Sequence, residues 1–382
     1  MKLQQTRRSC YTVLLAMIAF QSLAQDSFKQ KYSSSTIFAG IEVGSKGVKM
    51  SILEVGKNAK TNGAFNILKD TSVNTDFISF TPSTSQATLA GLTGLYQTAL
   101  KDYKIPAKRI YTVVSSGVKG QAEKDNQMNL VNELITSFKS KIKEPGREVE
   151  VVDVQQEARL SHLGIIPDAR RYNTFLIDIG SGNAKGGYFP YGNTSQFRLF
   201  QLNWGTKSTA NATEKRMEDT DKTIENYHRQ LWRVLAAAEN NELIYAINSS
   251  GAYPLSDHIA FSGGIAWAVA TLLHPEAVGQ SNISVSFQDV AKLCERLFKE
   301  YPSLSDTALV AAIQDPAERE LARKEISRVH KVFDQRALMA GSGLLLKIMR
   351  QFAAVHESKQ FVLIKNGQVG WISSYVDQTV ED

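Results

Sequence analysis

The sequence predicts an α/β fold built from two related units. From Thr36 onward, apolar runs of strand length alternate with longer stretches that have helical spacing. The segment "FAGIEVGSKGVKM", residues 38–50, indicates a strand, a glycine-rich turn and a second strand, and "FLIDIGSGNAKGG", residues 175–187, repeats this pattern. Such alternation favours helices that cover mixed sheets.

The elements of both units follow from their periodicity. In the first unit, strands are predicted at residues 36–43, 48–55, 64–70, 109–116 and 147–154. Helices, the first with a Ser/Thr start, are predicted there at residues 83–103, 120–142 and 155–165. In the second unit, strands are predicted at residues 172–180, 183–191 and 196–205, and a strand, turn and helix at residues 258–276. Paired strands around a glycine-rich turn therefore open both units.

The first 24 residues have the layout of a secretory signal peptide. Lys2, Arg7 and Arg8 precede the apolar run "YTVLLAMIAF" and the small-residue exit "QSLAQ", so cleavage is expected after Ala24. A membrane anchor is the competing interpretation, but the apolar run is about half as long as the roughly 20 residues that a bilayer requires. We therefore expect an exported protein, periplasmic or extracellular, without stable membrane insertion, in which residues 25–35 form a short flexible leader.

Charge and cysteine content exclude several classes of protein. The full chain carries a formal net charge of +6, and loss of the three basic residues in the signal peptide leaves +3. Lys and Arg do not cluster with aromatic residues, so a nucleic-acid partner is not expected. Cys10 lies in the signal peptide and Cys294 has the helical spacing of a core residue, so the mature chain cannot form an intrachain disulfide. The His residues are scattered, which argues against a metal site built from His and Cys.

Three glycine-containing turns are candidate anion sites, because glycine lets backbone N–H groups approach an anion closely. The third turn, Ser262-Gly263-Gly264, opens a helix whose N-terminus favours negative charge. Glu42 and Asp178 come just before the first and second turns, and their carboxylates are candidate ligands of a divalent cation. The competing interpretation is that the first two turns are only tight hairpin connections. The phosphate-binding residues predicted in these two turns are Gly44, Ser45 and Lys46, and Gly180, Ser181, Gly182, Asn183 and Lys185.

The order of the motifs resembles a known family of phosphohydrolases. The segment "VEVVDVQQEARLSHLGI", residues 149–165, is followed shortly by "FLIDIGSGNAKGGYF". This order and spacing are similar to the exopolyphosphatase and guanosine pentaphosphate phosphohydrolase (Ppx/GppA) family, within the superfamily of actin, sugar kinases and heat-shock chaperones. The resemblance is strongest at residues 150–190 and extends from Thr36 to about Val376.

The resemblance implies both a fold and a catalytic residue. The fold is two-domain and actin-like (ribonuclease H-like) with a cleft between the domains, which would place domain I at residues 36–165 and domain II at residues 166–382. Glu157 matches the glutamate that prepares a water for attack on a terminal phosphoryl group. From the residues alone, Glu157 is also explained as an acid in the first turn of a helix, stabilised by the helix dipole.

The chain departs from the family pattern at charged positions. Lys185 stands where the family has a second acidic residue, and Lys46 stands where its first turn has a small polar residue. An expected arginine is absent beside Lys119, and Gln368 replaces another. The change from acid to lysine removes a magnesium ligand and adds a cation, so it inverts the local electrostatics.

Two functions are consistent with these residues. The first is an exported phosphohydrolase that cleaves phosphoanhydride bonds of polyphosphate or a nucleotide polyphosphate, with Lys46, Lys119 and Lys185 neutralising phosphate charge. The second is a catalytically inactive module that binds a phosphorylated or other anionic ligand. Kinase and chaperone activities are disfavoured, because ATP is scarce outside the cytoplasm. The sequence leaves open the substrate, a role for Mg²⁺, and a homodimer.

Overall fold

Two mixed β-sheets with helices packed against them form the structure. The structure is a computed structural model that describes residues 28, 30–56, 65–353, 358–367 and 370–379. The predicted signal peptide, residues 1–24, lies outside the described residues. Within these ranges, the structure contains no helix that is both long enough and apolar enough to cross a membrane. The predicted α/β class is confirmed.

Within the described ranges, the first sheet has five strands. They are β1 Ser35–Val43, β2 Gly47–Gly56, β3 Phe65–Asn74, β4 Ile110–Val114 and β5 Glu150–Val151. Their order is β3-β2-β1-β4-β5, with β1 antiparallel to β2 and parallel to β4. Because parallel strands end at the same edge of a sheet, the β1–β2 turn and the segment after β4 are neighbours.

The second sheet has six strands among the described residues. They are β6 Thr174–Ile179, β7 Ala184–Tyr188, β8 Arg198–Leu202, β9 His258–Ser262, β10 Asn282–Val285 and β11 Gln360–Ile364. Their order is β10-β11-β9-β6-β7-β8. Read from β8, three antiparallel strands are followed by two parallel ones, as in the first sheet, and β10 is added at the edge. This repeated topology accounts for the two similar strand-turn-strand segments in the sequence.

The helices connect the strands and cover the sheets. In the described part of the chain they are α1 Pro82–Gln97, α2 Ser116–Lys124, α3 Met128–Ile142, α4 Val154–Ile165, α5 Thr206–Glu214, α6 Ile224–Ala238, α7 Ile244–Ser250, α8 Gly264–Leu273, α9 Phe287–Lys299, α10 Asp306–Leu309, α11 Pro316–Val332, α12 Gln335–Ala353 and α13 Gly370–Thr379. A π-helical turn, Thr98–Asp102, extends α1 to nearly the length predicted from the sequence.

Two predicted elements of the first unit are wrong in extent. The single helix predicted at residues 120–142 is the pair α2 and α3, because Asn126 adopts a left-handed conformation (φ 56°) that ends the first helix. The strand predicted at residues 147–154 is reduced to β5, because Asp153 already caps α4 by accepting a hydrogen bond from the amide of Gln156 at 2.7 Å.

The C-terminal helix α13 crosses back to the first sheet. It packs against α4, and Trp371 and Ile372 join Leu160 in an apolar cluster with residues of β1 and β4. A Cβ atom on Gly164 would lie 1.7 Å from the carbonyl oxygen of Gly370, so the two helices touch at a distance that only glycine permits. The chain therefore crosses from one sheet to the other twice, once after α4 and once before α13.

Glu54 holds the described part of the predicted leader. The backbone amides of Lys31 and Tyr32 each donate to its buried carboxylate at 2.8 Å, and Ser35 Oγ donates at 2.8 Å. A buried carboxylate is stable when several donors surround it. Where the sequence predicts a flexible leader, these contacts tie residues 30–35 to β2.

Candidate functional site

The first glycine turn connects β1 to β2 and is closed by a hydrogen bond from the amide of Gly44 to the carbonyl of Gly47 at 2.9 Å. The side chain of Lys46 is exposed and lies 3.4 Å from Asp76 Oδ1. Its described ion pair is therefore with the loop before α1. An open cavity of about 700 Å³ lies beside this turn, lined by Lys46, Asn74, Thr75, Asp76, Ser83, Thr84 and Ala87.

The second glycine turn connects β6 to β7 and has the same closure, from the amide of Gly180 to the carbonyl of Asn183 at 2.9 Å. The N-terminus of α5 packs directly beneath it, and the amide of Thr206 donates to the carbonyl of Gly180 at 3.0 Å. A Cβ atom on Gly205 would lie 2.6 Å from that carbonyl oxygen and 2.7 Å from the amide nitrogen of Asn183. The turn is thus fixed by backbone contacts, while Ser181, Gly182 and Asn183 stay exposed.

The third turn, between β9 and α8, is held against the end of β6. Ser262 is opposite Asp178 in the parallel pairing of β9 and β6, and its hydroxyl donates to Asp178 Oδ2 at 2.7 Å. Gly263 has a positive φ of 93°, and a Cβ atom there would lie 2.3 Å from the carbonyl oxygen of Ile179. Only glycine satisfies both conditions. Gly264 then begins α8 at the same edge of the sheet.

Glu157 lies between the two sheets, in the first turn of α4. One carboxylate oxygen accepts the backbone N–H of Ser116, at the start of α2, at 2.9 Å. The other forms an ion pair with Lys185 of β7, whose ammonium is also 3.4 Å from Ser116 Oγ. A Cβ atom on Gly117 would lie 3.0 Å from Ser45 Oγ, so the start of α2 touches the first turn. A continuous set of contacts therefore joins the first turn to the second strand unit.

Glu157 and Lys185 stabilise each other in their charged forms. Burial by itself would raise the pKa of Glu157, but the charge of Lys185 and the hydrogen bonds from Lys185 and Ser116 outweigh it and lower that pKa. Burial would likewise lower the pKa of Lys185, but the charges of Glu157 and Asp178 raise it above the ordinary value. At neutral pH the pair is an ammonium and a carboxylate.

The pKa values of the two candidate metal ligands, Glu42 and Asp178, are shifted in the opposite direction to that of Glu157. Burial raises the pKa of both Glu42 and Asp178, and the charges of Lys49 and Lys185 only partly offset it. Among the described residues, no group of three or more His, Cys, Asp or Glu side chains is arranged to hold a metal ion. Lys185 stands opposite Asp178 in the β6–β7 pairing, so an ammonium occupies the neighbourhood in which a divalent cation was expected. With the Lys185 ammonium in place, these acids do not fit a divalent cation; ligation of Mg²⁺ by Glu42 and Asp178 stays a prediction.

Lys119, the last of the predicted phosphate-binding residues, lies outside this set of contacts. Lys119 is on α2, where its ammonium is 3.8 Å from Glu123 and 4.0 Å from Asp153. Gln368 lies outside the described residues. His162 is wholly buried on α4, where burial lowers its pKa to about 4 and its Nε2 is 3.0 Å from the carbonyl of Thr174.

Sequence reasoning missed two parts of the site, the start of α2 and the start of α5. Ser116 lies at the end of the strand predicted at residues 109–116, and its amide donates to Glu157. A strand followed by a helix indicates such a position only once that strand is known to lie parallel to β1, because the helix N-terminus then lies beside the first turn. The start of α5 is harder to predict, because its only indication in the sequence is Gly205, a glycine before the helix that begins at Thr206.

The topology and the three turns define the class of the fold, which is the two-domain actin-like fold. Among solved structures, the chain is similar to the Ppx/GppA phosphatase of Aquifex aeolicus in its type II variant, with a TM-score of 0.60 and 17% identity over 90% of this chain and 100% of that one. It is also similar to an exopolyphosphatase from Cytophaga hutchinsonii, with a TM-score of 0.51 and 14% identity over 90% of this chain and 99% of that one. No protein-family model matches the sequence, and neither does any curated protein. At these identities the likeness establishes the fold.

Proposed function

We propose that the protein is an exported phosphohydrolase that cleaves phosphoanhydride bonds of polyphosphate or a nucleotide polyphosphate. The observation that carries this proposal is Glu157, a half-buried carboxylate held by a helix N-terminal amide and an ammonium beside the first turn. Amides and ammonium groups are also the donors that bind phosphate oxygens. The fold that the chain shares with Ppx/GppA phosphatases supports the same class of reaction.

In this reaction, a water oxygen attacks the terminal phosphorus as the bond from that phosphorus to the bridging oxygen breaks. Glu157 accepts the proton that the water loses. The bridging oxygen leaves on the shortened chain, and the second product is inorganic phosphate. The turn amides and the start of α2 hold the phosphate oxygens while Glu157 orients the water.

The contacts of Glu157 set a condition on this mechanism. Both of its oxygens are engaged, one by Ser116 and one by Lys185. A carboxylate that is paired with an ammonium is a weak base, because its pKa is lowered. Transfer of the Lys185 ammonium from Glu157 to an incoming phosphate would free one oxygen and restore basicity, so substrate binding would activate the base.

The same contacts favour a second candidate function, a binding module without turnover. If Lys185 stays on Glu157 in the presence of ligand, the site keeps its anion-binding amides and loses its base. The ligand would again be a phosphorylated or other anionic molecule. The two functions differ only in whether Glu157 becomes free.

Phosphate release by the purified protein decides between them. Polyphosphate and guanosine pentaphosphate are incubated with the protein, with and without Mg²⁺, and inorganic phosphate is measured. We expect Glu157→Gln to lower turnover by about a hundredfold or more while binding of the same compounds, measured by calorimetry, survives. Glu148→Gln, at an exposed acid shortly before β5, is the matched control and should keep full turnover.

Release that is unchanged in Glu157→Gln would overturn the catalytic assignment. No release from either compound, together with measurable binding of one of them, would establish the binding module. Absence of both release and binding would contradict the anion site itself.

A further inference from the structure

Lys185 lies beside carboxylates from two different elements. It forms an ion pair with Glu157 of α4, and the side chains of both are only 16% exposed. In the β6–β7 pairing it stands directly opposite Asp178, which is fixed by the hydroxyl of Ser262 at 2.7 Å. One ammonium therefore serves an acid of the second sheet and an acid of the helix that precedes that sheet.

This arrangement supplies positive charge without an added ion. Carboxylates that converge in a shielded place normally require a cation, because their mutual repulsion is costly. A lysine ammonium is a compact point charge on a flexible stem and can meet this requirement from within the chain. The half-buried position of the pair protects it from competition by water and salt.

We propose that the ammonium of Lys185 is a tethered cation that occupies the place of a divalent metal between Asp178 and Glu157, so that the protein binds its phosphate ligand without a metal ion. The identity of the ligand rests on the proposed function. The inference that lysine replaces the metal does not rest on the proposed function, since it concerns only the acids and the ammonium.

Metal binding after removal of the ammonium tests the proposal without any substrate. Mn²⁺ is titrated into the purified protein at neutral pH, and free Mn²⁺ is followed by electron paramagnetic resonance. The unaltered protein should show no saturable site up to millimolar Mn²⁺. Lys185→Ala should gain one site that binds Mn²⁺ at least tenfold more tightly, because carboxylate oxygens are preferred ligands of this ion. Addition of Asp178→Asn to that variant should remove the site.

Lys299→Ala is the matched control. Lys299 forms an exposed ion pair with Glu295 at 2.7 Å, so its removal also leaves a carboxylate without its ammonium. A single exposed carboxylate is not a metal site, and we expect no gain of Mn²⁺ binding. If Lys185→Ala does not fold, Lys185→Met, which keeps the apolar stem, is titrated in its place.

Two outcomes would overturn the proposal. One is a saturable Mn²⁺ site in the unaltered protein that is as tight as that of the variant. The other is a folded Lys185 variant, verified by circular dichroism, that gains no site. Failure of the unaltered protein to release phosphate would contradict the proposed hydrolase and would not change the Mn²⁺ result. Failure of the proposed function and failure of the proposed lysine-for-metal replacement are therefore distinguishable.

Discussion

Breaking the Glu157–Lys185 pair should destabilise the fold unequally, depending on which partner is removed. Lys185→Met leaves the buried carboxylate of Glu157 without its ion-pair partner and Asp178 without the ammonium opposite it, and we expect a loss of about 3–5 kcal/mol in the free energy of unfolding, as for other broken pairs of this burial. Glu157→Gln leaves the ammonium with two other acids and keeps an acceptor for the amide of Ser116. Its loss should be smaller, about 1–3 kcal/mol.

Urea unfolding of the two single variants and the double variant measures these losses and their coupling. Both side chains are well under one third exposed, so screening by solvent does not remove the effect. We expect a coupling energy of about 1–3 kcal/mol, in the range found for residues in direct contact. Lys299→Met, which removes one partner of an exposed pair, should cost no more than about 0.5 kcal/mol and serves as the control.

The pH dependence of the Lys185→Met variant gives an independent check. The pKa values of Glu42 and Asp178 are raised by burial, and loss of the nearby ammonium should raise them further. Carboxyl groups with a raised pKa favour the folded state at low pH, and this contribution is lost as the pH rises through the folded-state pKa. The variant should therefore recover stability relative to the unaltered protein on acidification from neutral pH. A Lys185→Met variant within about 0.5 kcal/mol of the unaltered protein at neutral pH would refute this account of the pair.

Three further predictions concern other parts of the molecule. Burial lowers the pKa of His162 to about 4 from its ordinary value of 6.5, so its contribution to stability should be lost as the pH falls through this range. The unfolding free energy of the unaltered protein should drop by about 3 kcal/mol more than that of His162→Leu over the same range. Gly205→Ala should cost about 1–3 kcal/mol, because its methyl group meets the backbone of the second turn, whereas Gly182→Ala meets open space and should cost less than half as much in the same urea titration. The native protein from the exported soluble fraction should begin near Gln25 on N-terminal sequencing, and an intact first 24 residues in the membrane fraction would show that this segment is an anchor.

Local features of the site could be predicted from the sequence because their causes are local. A strand that ends in an acid and a glycine turn is recognisable from a dozen residues, and both copies of this segment have the predicted form. Glu157 could be placed in a first helical turn because the helical spacing of residues 155–165 begins just before it. Such rules depend on neighbours along the chain, which the sequence shows directly.

Other features could not be predicted because their causes are distant along the chain. The break between α2 and α3 depends on Asn126 adopting a left-handed conformation inside an otherwise helical pattern. The return of α13 to α4 depends on the close approach of Gly164, in α4, to Gly370, at the start of α13. Periodicity predicts which face of a helix is apolar, and it carries no information about which apolar surface that face will contact.

The partner of Lys185 is the most consequential of these distant features. From the sequence, its position after the second turn suggests an ammonium directed at a bound phosphate; in the structure, the ammonium is on Glu157. Relative to the family pattern, replacement of an acid by lysine changes the formal charge by two units, which is the charge of a divalent cation. A site that makes this one substitution keeps its overall charge when the metal is absent. If both proposals hold, the ammonium that balances the acids is also the group that determines when Glu157 can act as a base.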